Sequence, residues 1–256
     1  MIHLITLNTW KCDGDYFNRL EVLYRGLKKE GDIILLQESF QSIDGKHNTA
    51  GFLAEKLNFN VTSSQSRRKE RKLMGNIFDS YSNVSILSKY PIINSYIISL
   101  PSNDKDGGRE AIGAVISLND SKILVISVHL SHLSDSDDLR KEQLQHIINQ
   151  PFFSFGYDAI FIGGDFNRII TDELLTDLQQ SGFNIKDTHN GFEKVGNDYT
   201  FTNGKVYEKI DHILQLSLNE KPTPQVVDST IVFNETDIEL GIKASDHNGV
   251  MISVEI

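Results

Sequence analysis

The segment AIFIGGDFN, Ala159–Asn167, constrains the fold and the chemistry of this chain more than any other. Its apolar run Ala159–Ile162 favours a buried strand, and the two glycines after it allow the backbone to turn tightly. Asp165 and Asn167 then emerge two residues apart, on one side of the strand's end. A carboxylate and an amide so placed can hold a hard cation and a phosphate oxygen together. Taken alone, the segment is equally typical of a structural turn.

Other apolar runs along the chain also lead into polar residues. Polar residues that follow these runs or lie beside them are Asn8, Glu38, His129, Asp211 and the pair Asp246-His247. Carboxylates gathered at the mouth of a β core repel one another and lose hydration, unless a positive charge lies among them. A divalent metal explains the pattern economically, because oxygen ligands suit Mg²⁺, Mn²⁺ or Ca²⁺.

The motifs that contain these residues resemble, in their order, those of the endonuclease/exonuclease/phosphatase superfamily. They are LNTW, LLQES, SILSKYPI, SVHLSH, GGDFN, KIDHI and SDHNGV, and they extend from Asn8 to Val250. The resemblance implies an α/β (α+β) fold, a four-layer α/β/β/α sandwich of two packed mixed β-sheets. It places the site where the ends of the two sheets meet.

The resemblance also implies catalytic roles for individual residues. Asp165 resembles the residue that positions or deprotonates the attacking water, and Asn167 resembles the amide that donates to the substrate phosphate. His129 and His247 match the catalytic pair of histidines. Asp211 resembles the carboxylate that fixes the tautomer of His247 and stabilises its charged form.

For the metal, Glu38 in LLQES is the strongest ligand candidate, and Asn8 and Asp246 resemble residues that complete the site. The cofactor expected is Mg²⁺ or Mn²⁺. Trp10 stands where apurinic-type members carry an aspartate, which argues against that branch. Arg109 resembles an arginine that grips the substrate phosphate, although an ordinary surface role is equally open.

The function implied is that of a divalent-metal-dependent phosphoesterase, hydrolysing a phosphodiester by in-line attack of an activated water. A DNA or RNA endonuclease or exonuclease is the alternative, and a non-catalytic binding module of the same fold is a third reading. The substrate is a phosphoester in a small molecule, a lipid headgroup or a nucleic acid. No obligate protein partner is evident, and His132 and His212 are expected in structural or substrate-rim roles.

Composition narrows these alternatives modestly. The 256 residues suit a single domain over 1–256, and no apolar run approaches the roughly 20 residues of a membrane span. The start MIHLITLNTW lacks the features of a signal peptide, so a cytoplasmic protein is expected. A net charge of −10 opposes adhesion to polyanions. The basic run Arg67–Lys72 is either a solvated loop or edge-strand face, or a loop that attracts phosphate.

Hydrophobic periodicity predicts helices over Tyr16–Glu30, Phe52–Leu57, Ser136–Asn149 and Asp172–Gln180. The remaining apolar runs are typical of strands, among them His3–Leu7, Ile33–Leu36 and Gly249–Glu255.

Overall fold

The computed structural model describes residues 1–179, 182–189, 198–202, 204–218 and 223–256. Two large mixed sheets pack face to face, and helices cover their outer faces. The predicted four-layer sandwich is therefore confirmed.

The elements fall into these layers as follows. The helices are α1 Tyr16–Glu30, α2 Thr49–Leu57, α3 Asp137–Ile148 and α4 Asp172–Gln179, with a 3-10 helix at Pro151–Phe155. The first sheet contains β1 Ile2–Asn8, β2 Ile33–Ser42, β3 Asn60–Ser63, β4 Lys69–Leu73, β5 Asn76–Ser88, β14 Gln225–Val232 and β15 Gly249–Glu255. The second contains β6 Ile92–Leu100, β7 Arg109–Leu118, β8 Ser121–His129, β9 Ala159–Asp165, β10 Phe183–Asp187 and β13 Asp211–Leu218. A small ribbon pairs β11 Phe201–Thr202 with β12 Tyr207–Glu208.

Strand order brings particular strand ends together. The first sheet runs β14-β15-β1-β2-β5-β3, with β4 paired to β5, and the second runs β10-β13-β9-β8-β7-β6. Within each sheet one central pair is parallel, β1 with β2 and β8 with β9. Parallel neighbours end at the same edge, so the last residues of β8 and β9 lie side by side.

Three apolar clusters hold the layers together. Between the sheets, Leu35 and Ile86 of the first pack in one cluster with Val125 and Phe161 of the second. The outer face of the first sheet buries the apolar side of α1 and α2, and that of the second buries α3 and α4. Because both faces of the central strands are covered, their sequences are continuous apolar runs rather than alternating ones.

Local signals account for the helix boundaries. Helix α1 begins and ends as predicted, and the backbone N–H of Gly31 bonds to the carbonyl of Leu27 at its end. Helix α2 begins three residues before the predicted start, because Asn48 caps it by accepting from the N–H of Gly51. The predicted last residue of the fourth helix, Gln180, lies outside the described residues.

The glycines of GGDFN do not form the turn that the sequence suggested. Both lie inside β9, and the strand continues to Asp165. A Cβ on Gly164 would come within 1.9 Å of the carbonyl oxygen of Val128, and one on Gly163 within 2.7 Å of Leu35 across the sheets. The glycines therefore permit close packing around β9.

None of the helices in the described part of the chain has the length and apolar character that crossing a membrane requires.

Candidate active site

A cavity of about 520 Å³ opens where the ends of the two sheets meet. Of the residues predicted for the site, those that line it are Asn8, Glu38, Arg109, His129, Asp165, Asn167, Asp246 and His247. Asp211 lies directly behind His247 and bonds to it. The fold thus gathers residues that are up to 239 positions apart in the sequence, from Asn8 to His247.

Strand register explains this convergence. His129 and Asp165 are partners at the ends of the parallel strands β8 and β9. Strand β13 runs antiparallel to β9, so its first residue, Asp211, lies opposite Asp165. Asn8 ends β1 in the other sheet, and its amide donates to Oδ2 of Asp165 at 3.0 Å. This bond, like the one between His247 and Asp211, joins the two sheets at the site.

Asp165 is at the centre of the polar network. Its Oδ1 accepts from the backbone N–H of Asn167 at 2.9 Å, and its Oδ2 lies 3.5 Å from Nε2 of His129 and 3.9 Å from Nε2 of His247. Burial and the charge of Asp211 raise the pKa of Asp165 to about 7, although His247 and Asn8 oppose the rise. The carboxylate therefore has a far higher proton affinity than an exposed aspartate.

His247 is held by Asp211, with 2.8 Å between Nδ1 and the carboxylate Oδ2. Asp211 is wholly buried, and its backbone N–H donates to the hydroxyl of Thr200. Burial works against a charged imidazole, yet the carboxylates of Asp211, Asp165 and Asp246 raise the pKa of His247 to about 10. The ring is thus an imidazolium at neutral pH, with Nε2 on the cavity side.

The pKa of His129 is shifted in the opposite direction from that of His247. Burial, followed by the positive charges of Arg109 and Arg67, lowers its pKa well below the ordinary value. Its imidazole is therefore neutral at neutral pH. Two histidines whose pKa values are driven apart can serve one as a proton donor and the other as an acceptor.

Glu38 does not end its strand, contrary to the sequence-based expectation. Strand β2 continues to Ser42, and its register on β5 shifts between Leu36 and Ser39. Glu38 lies in this bulge with a φ of 52°. A bulge redirects a side chain without ending the strand, and here it directs the carboxylate into the cavity. Its Oε2 lies 2.7 Å from the ammonium of Lys11.

Arg109 is more enclosed than a residue that grips substrate from the surface. Its side chain is 1% exposed, and Nε bonds to both carboxylate oxygens of Asp106. Nη1 donates to the backbone carbonyl of His129 at 2.9 Å, and Nη2 lies 2.7 Å from Nδ1 of His132. In this arrangement Arg109 fixes the end of β8, and its contact with a phosphate stays a prediction.

Asn167, like Arg109, donates to a backbone carbonyl near the end of β8. Its side-chain amide donates to the carbonyl of Leu130 at 3.1 Å, which leaves its second amide hydrogen for a ligand.

His132 is half exposed at the rim of the cavity. His212 is buried and bonds to Asp187 at 2.9 Å, so its role is structural.

Arg19 belongs to the architecture of the site and was not found from the sequence. It is 2% exposed on the packed face of α1, and its guanidinium donates to five backbone carbonyls, those of Thr9, Trp10, Lys11, Asp13 and Ala244. These carbonyls lie in the loop after Asn8 and in the segment before Asp246. The signal was available, because position 19 lies on the helix face of Tyr16 and Leu23.

The side chains present fit a divalent cation. Glu38 and Asp246 supply carboxylates and Asn8 an amide oxygen, which are ligands that Mg²⁺ and Mn²⁺ accept. Burial and the negative charge of Glu38 both raise the pKa of Asp246, which shows that the two carboxylates repel each other. Asp165, Asp211 and His247 also have ligand atoms within 4.8 Å of one another. We favour the first set, because Glu38 and Asp246 line the open cavity, whereas Asp211 lies behind His247 and is paired with its Nδ1.

Comparisons with known proteins identify the family of this chain. The sequence matches the family described as the Endonuclease/Exonuclease/phosphatase family over residues 5–247. A search among curated proteins finds no match.

Solved structures share the fold at low sequence identity. An endonuclease/exonuclease/phosphatase family protein from Leptotrichia buccalis is 19% identical with a TM-score of 0.76, and each chain is covered completely. An endonuclease/exonuclease/phosphatase from Bacteroides vulgatus is 21% identical with a TM-score of 0.74, covering 100% of this chain and 98% of the other. D. rerio TDP2, complexed with single strand DNA product, is 18% identical with a TM-score of 0.72, covering 100% and 99%. With its sequence matched over 5–247, the chain belongs to the endonuclease/exonuclease/phosphatase family.

Proposed function

We propose that this protein is a divalent-metal-dependent phosphoesterase that hydrolyses a phosphodiester by in-line attack of water. The observation that carries the proposal is one cavity lined by Asp165, by His129 and His247, and by the oxygen donors Glu38 and Asp246. A site of this kind combines a proton acceptor, a cationic donor and ligands for a cation. These are the groups that phosphoryl transfer to water uses.

Glu38, Asp246 and Asn8 would hold the cation. When bound, it would polarise a phosphoryl oxygen and offset the charge that develops there. The ammonium of Lys11, 2.7 Å from Glu38, offsets the carboxylate's charge in the structure described here.

The chain's own residues supply the rest of the chemistry. Asp165 would accept a hydrogen bond from the attacking water, and its bonds to Asn8 and to the N–H of Asn167 fix the direction of its carboxylate. His247 can donate from Nε2 to a phosphoryl oxygen, while Asp211 keeps its Nδ1 proton in place. His129 contributes a neutral imidazole, whose Nε2 lies 3.5 Å from Oδ2 of Asp165. Arg109 holds the backbone of His129.

A nuclease is the second candidate. It is favoured by the basic strand β4, part of which lines the cavity, and by the structural likeness to a TDP2 that was solved with a single strand DNA product. The net charge of −10 disfavours a long polyanionic substrate. A non-catalytic module is disfavoured, because Glu38, Asp165 and His247 are all present and share the cavity.

The proposal is tested with bis-p-nitrophenyl phosphate, a generic diester whose hydrolysis releases a coloured product. We expect hydrolysis to stop when a chelator is added and to return with Mg²⁺ or Mn²⁺. Plasmid DNA, RNA, sphingomyelin and inositol phosphates form the accompanying panel of substrates. Hydrolysis that is unaffected by the chelator, or no hydrolysis of any compound with either metal, would contradict the proposal.

A further inference from the structure

One wall of the catalytic cavity consists of residues from the basic run Arg67–Lys72. The residues of this run differ in their contacts. Arg68 points away from the cavity, where its guanidinium pairs with the exposed carboxylate of Asp79. Lys69 and Lys72 are exposed and line the cavity on the edge strand β4, with Glu70 between them.

Arg71 binds backbone carbonyls of neighbouring segments. Its Nη1 donates to both the carbonyl and the hydroxyl of Ser80 at 3.0 Å, which joins β4 to β5. Its Nη2 donates to the backbone carbonyl of Arg67 at 3.1 Å. Arg71 therefore fixes the segment from which the Arg67 side chain projects.

Arg67 differs from its neighbours in conformation and in its partners. Its φ is 55°, a left-handed conformation that is unfavourable for most side chains and occurs often at functional sites. Its Nη1 is buried, and it has no hydrogen-bond partner among the described residues. A buried donor without a partner is destabilising, and Arg67 lines the same cavity as His129 and Asp165.

Arg67 and Arg109, which both line the cavity, differ in their partners. Arg109 bonds to Asp106 through Nε, whereas within the part of the chain described here the guanidinium of Arg67 has no carboxylate partner. The like charge of Arg67 also lowers the pKa of Arg109, after burial and against the opposing bond to Asp106. An anion from outside the protein would pair with Arg67 and relieve this repulsion. Guanidinium groups suit phosphate because they bind it through two parallel bonds.

We infer that Arg67 binds a second phosphate group of the substrate, beside the phosphoester that is cleaved. The preferred substrate is then a small phosphoester that carries a further phosphate, and this inference rests on the proposed function for the reaction itself. The cavity of about 520 Å³ is within the size range of small-molecule sites. Lys69 and Lys72 add positive charge at its mouth, in a chain whose net charge of −10 disfavours long polyanions.

Anion binding tests the inference without any catalysis. Isothermal titration calorimetry in the presence of a chelator would compare pyrophosphate with inorganic phosphate. We expect wild-type protein to bind pyrophosphate about 10- to 100-fold more tightly, the scale of one charge-assisted hydrogen-bonded contact. Arg67→Gln should lose most of that difference. Arg68→Gln is the matched control, since it removes the same charge at the adjacent position and should keep the difference.

A matched pair of substrates tests the same point in turnover. Thymidine 5′-(p-nitrophenyl phosphate) would be compared with its 3′-phosphorylated form, and the readout is the ratio of their kcat/KM values. The ratio should favour the 3′-phosphate in wild type and in Arg68→Gln, and it should fall about 10-fold or more in Arg67→Gln. If Arg67→Gln does not fold, Arg67→Asn replaces it, because asparagine tolerates the left-handed conformation.

Equal ratios in wild type and Arg67→Gln, with equal pyrophosphate affinities, would overturn the inference. So would an equal loss in Arg67→Gln and Arg68→Gln, since that indicates a general effect of charge. A steep loss of activity with salt on long oligonucleotides, together with a preference for them, would also overturn it and indicate a polymeric substrate. If neither thymidine ester is hydrolysed, pyrophosphate binding alone judges Arg67, and the proposed function is judged separately with bis-p-nitrophenyl phosphate and the substrate panel.

Discussion

Replacing Arg19 with methionine should destabilise the protein severely, because one buried guanidinium connects two loops of the site. Arg19 donates to four carbonyls between Thr9 and Asp13 and to that of Ala244, over distances of 2.9–3.2 Å. Its guanidinium also stacks over the ring of Trp10 at 5.0 Å. Methionine fills much of the same space but donates no hydrogen bond, so the substitution isolates the polar contacts.

The magnitude follows from these contacts. Each hydrogen bond to a charged group contributes about 1.5–3 kcal/mol, but the guanidinium also loses its hydration on burial, so the contributions do not add. Removing the guanidinium leaves five backbone carbonyls without this donor, and a buried acceptor that stays unsatisfied costs about 1–3 kcal/mol. We therefore expect the free energy of unfolding to fall by about 3–5 kcal/mol, which corresponds to roughly two or three unsatisfied carbonyls. For a chain of this size, that corresponds to a decrease in Tm of roughly 6–20 °C.

The assay is urea-induced unfolding followed by circular dichroism, with wild type and variant at the same metal concentration. Arg25→Met is the control, since Arg25 lies on the same helix but pairs at the surface with Asp237 and Glu239. The control should change stability only slightly. A loss below about 1 kcal/mol in Arg19→Met, the scale of an ordinary surface substitution or less, would refute the reasoning.

Two further predictions concern the site and the acid stability of the fold. His247→Ala and His129→Ala should each reduce turnover by about 10² or more, and Asp211→Asn combined with His247→Ala should be little worse than His247→Ala alone; multiplicative losses in the double variant would show that the pair does not act as a unit. Burial opposes the ionisation of Asp187, but the hydrogen bond and charge of His212 hold the pKa of Asp187 well below its usual range. Because the pKa of Asp187 is lower in the folded than in the unfolded state, its ionised carboxylate stabilises the fold at pH values above the unfolded pKa of about 3.9. This stabilisation is lost as the pH falls from there toward the pKa of the folded state. Urea unfolding should therefore show a smaller loss of stability between about pH 5 and 2 in Asp187→Asn than in wild type, and equal pH slopes would contradict the assignment.

Much of the fold could be predicted because its signals are local. Helix α1 has the bounds predicted from its apolar spacing and Gly31, and β15 has the bounds predicted from its apolar run. The start of α2 was wrong because the local cap at Asn48 was overlooked, and other boundaries were wrong because they depend on contacts that are distant in sequence. Glu38 is the clearest case, since the bulge that redirects it is defined only by pairing with β5.

In the site, too, residues with a local sequence signal were predicted, and residues that depend on distant contacts were not. Residues with ligand or acid–base chemistry were identified from the motifs, and the structure brings them together around one cavity. Arg19 was not identified, because a charged side chain is expected at the surface unless its partners are known. Arg67 was noted only as part of the basic run Arg67–Lys72, for which a solvated face and a phosphate-attracting loop both stayed open. Arg19 depends on Ala244, which is 225 positions away, and the orientation of Arg67 depends on a bond from Arg71 to its backbone. The helix spacing indicates that Arg19 lies on the packed face of α1, but the partners of Arg19 and Arg67 cannot be predicted from the sequence.

The most direct test of the account is the Mg²⁺ dependence of diester hydrolysis in Glu38→Ala. Initial rates with bis-p-nitrophenyl phosphate would be measured against Mg²⁺ concentration for wild type and variant, with urea unfolding to show that both are folded. Removing a ligand carboxylate weakens cation binding and relieves repulsion with Asp246, so stability should change little. We expect Glu38→Ala to be folded and to show no metal-dependent hydrolysis at Mg²⁺ concentrations that saturate wild type. Near-normal turnover of Glu38→Ala at modest Mg²⁺ would contradict it.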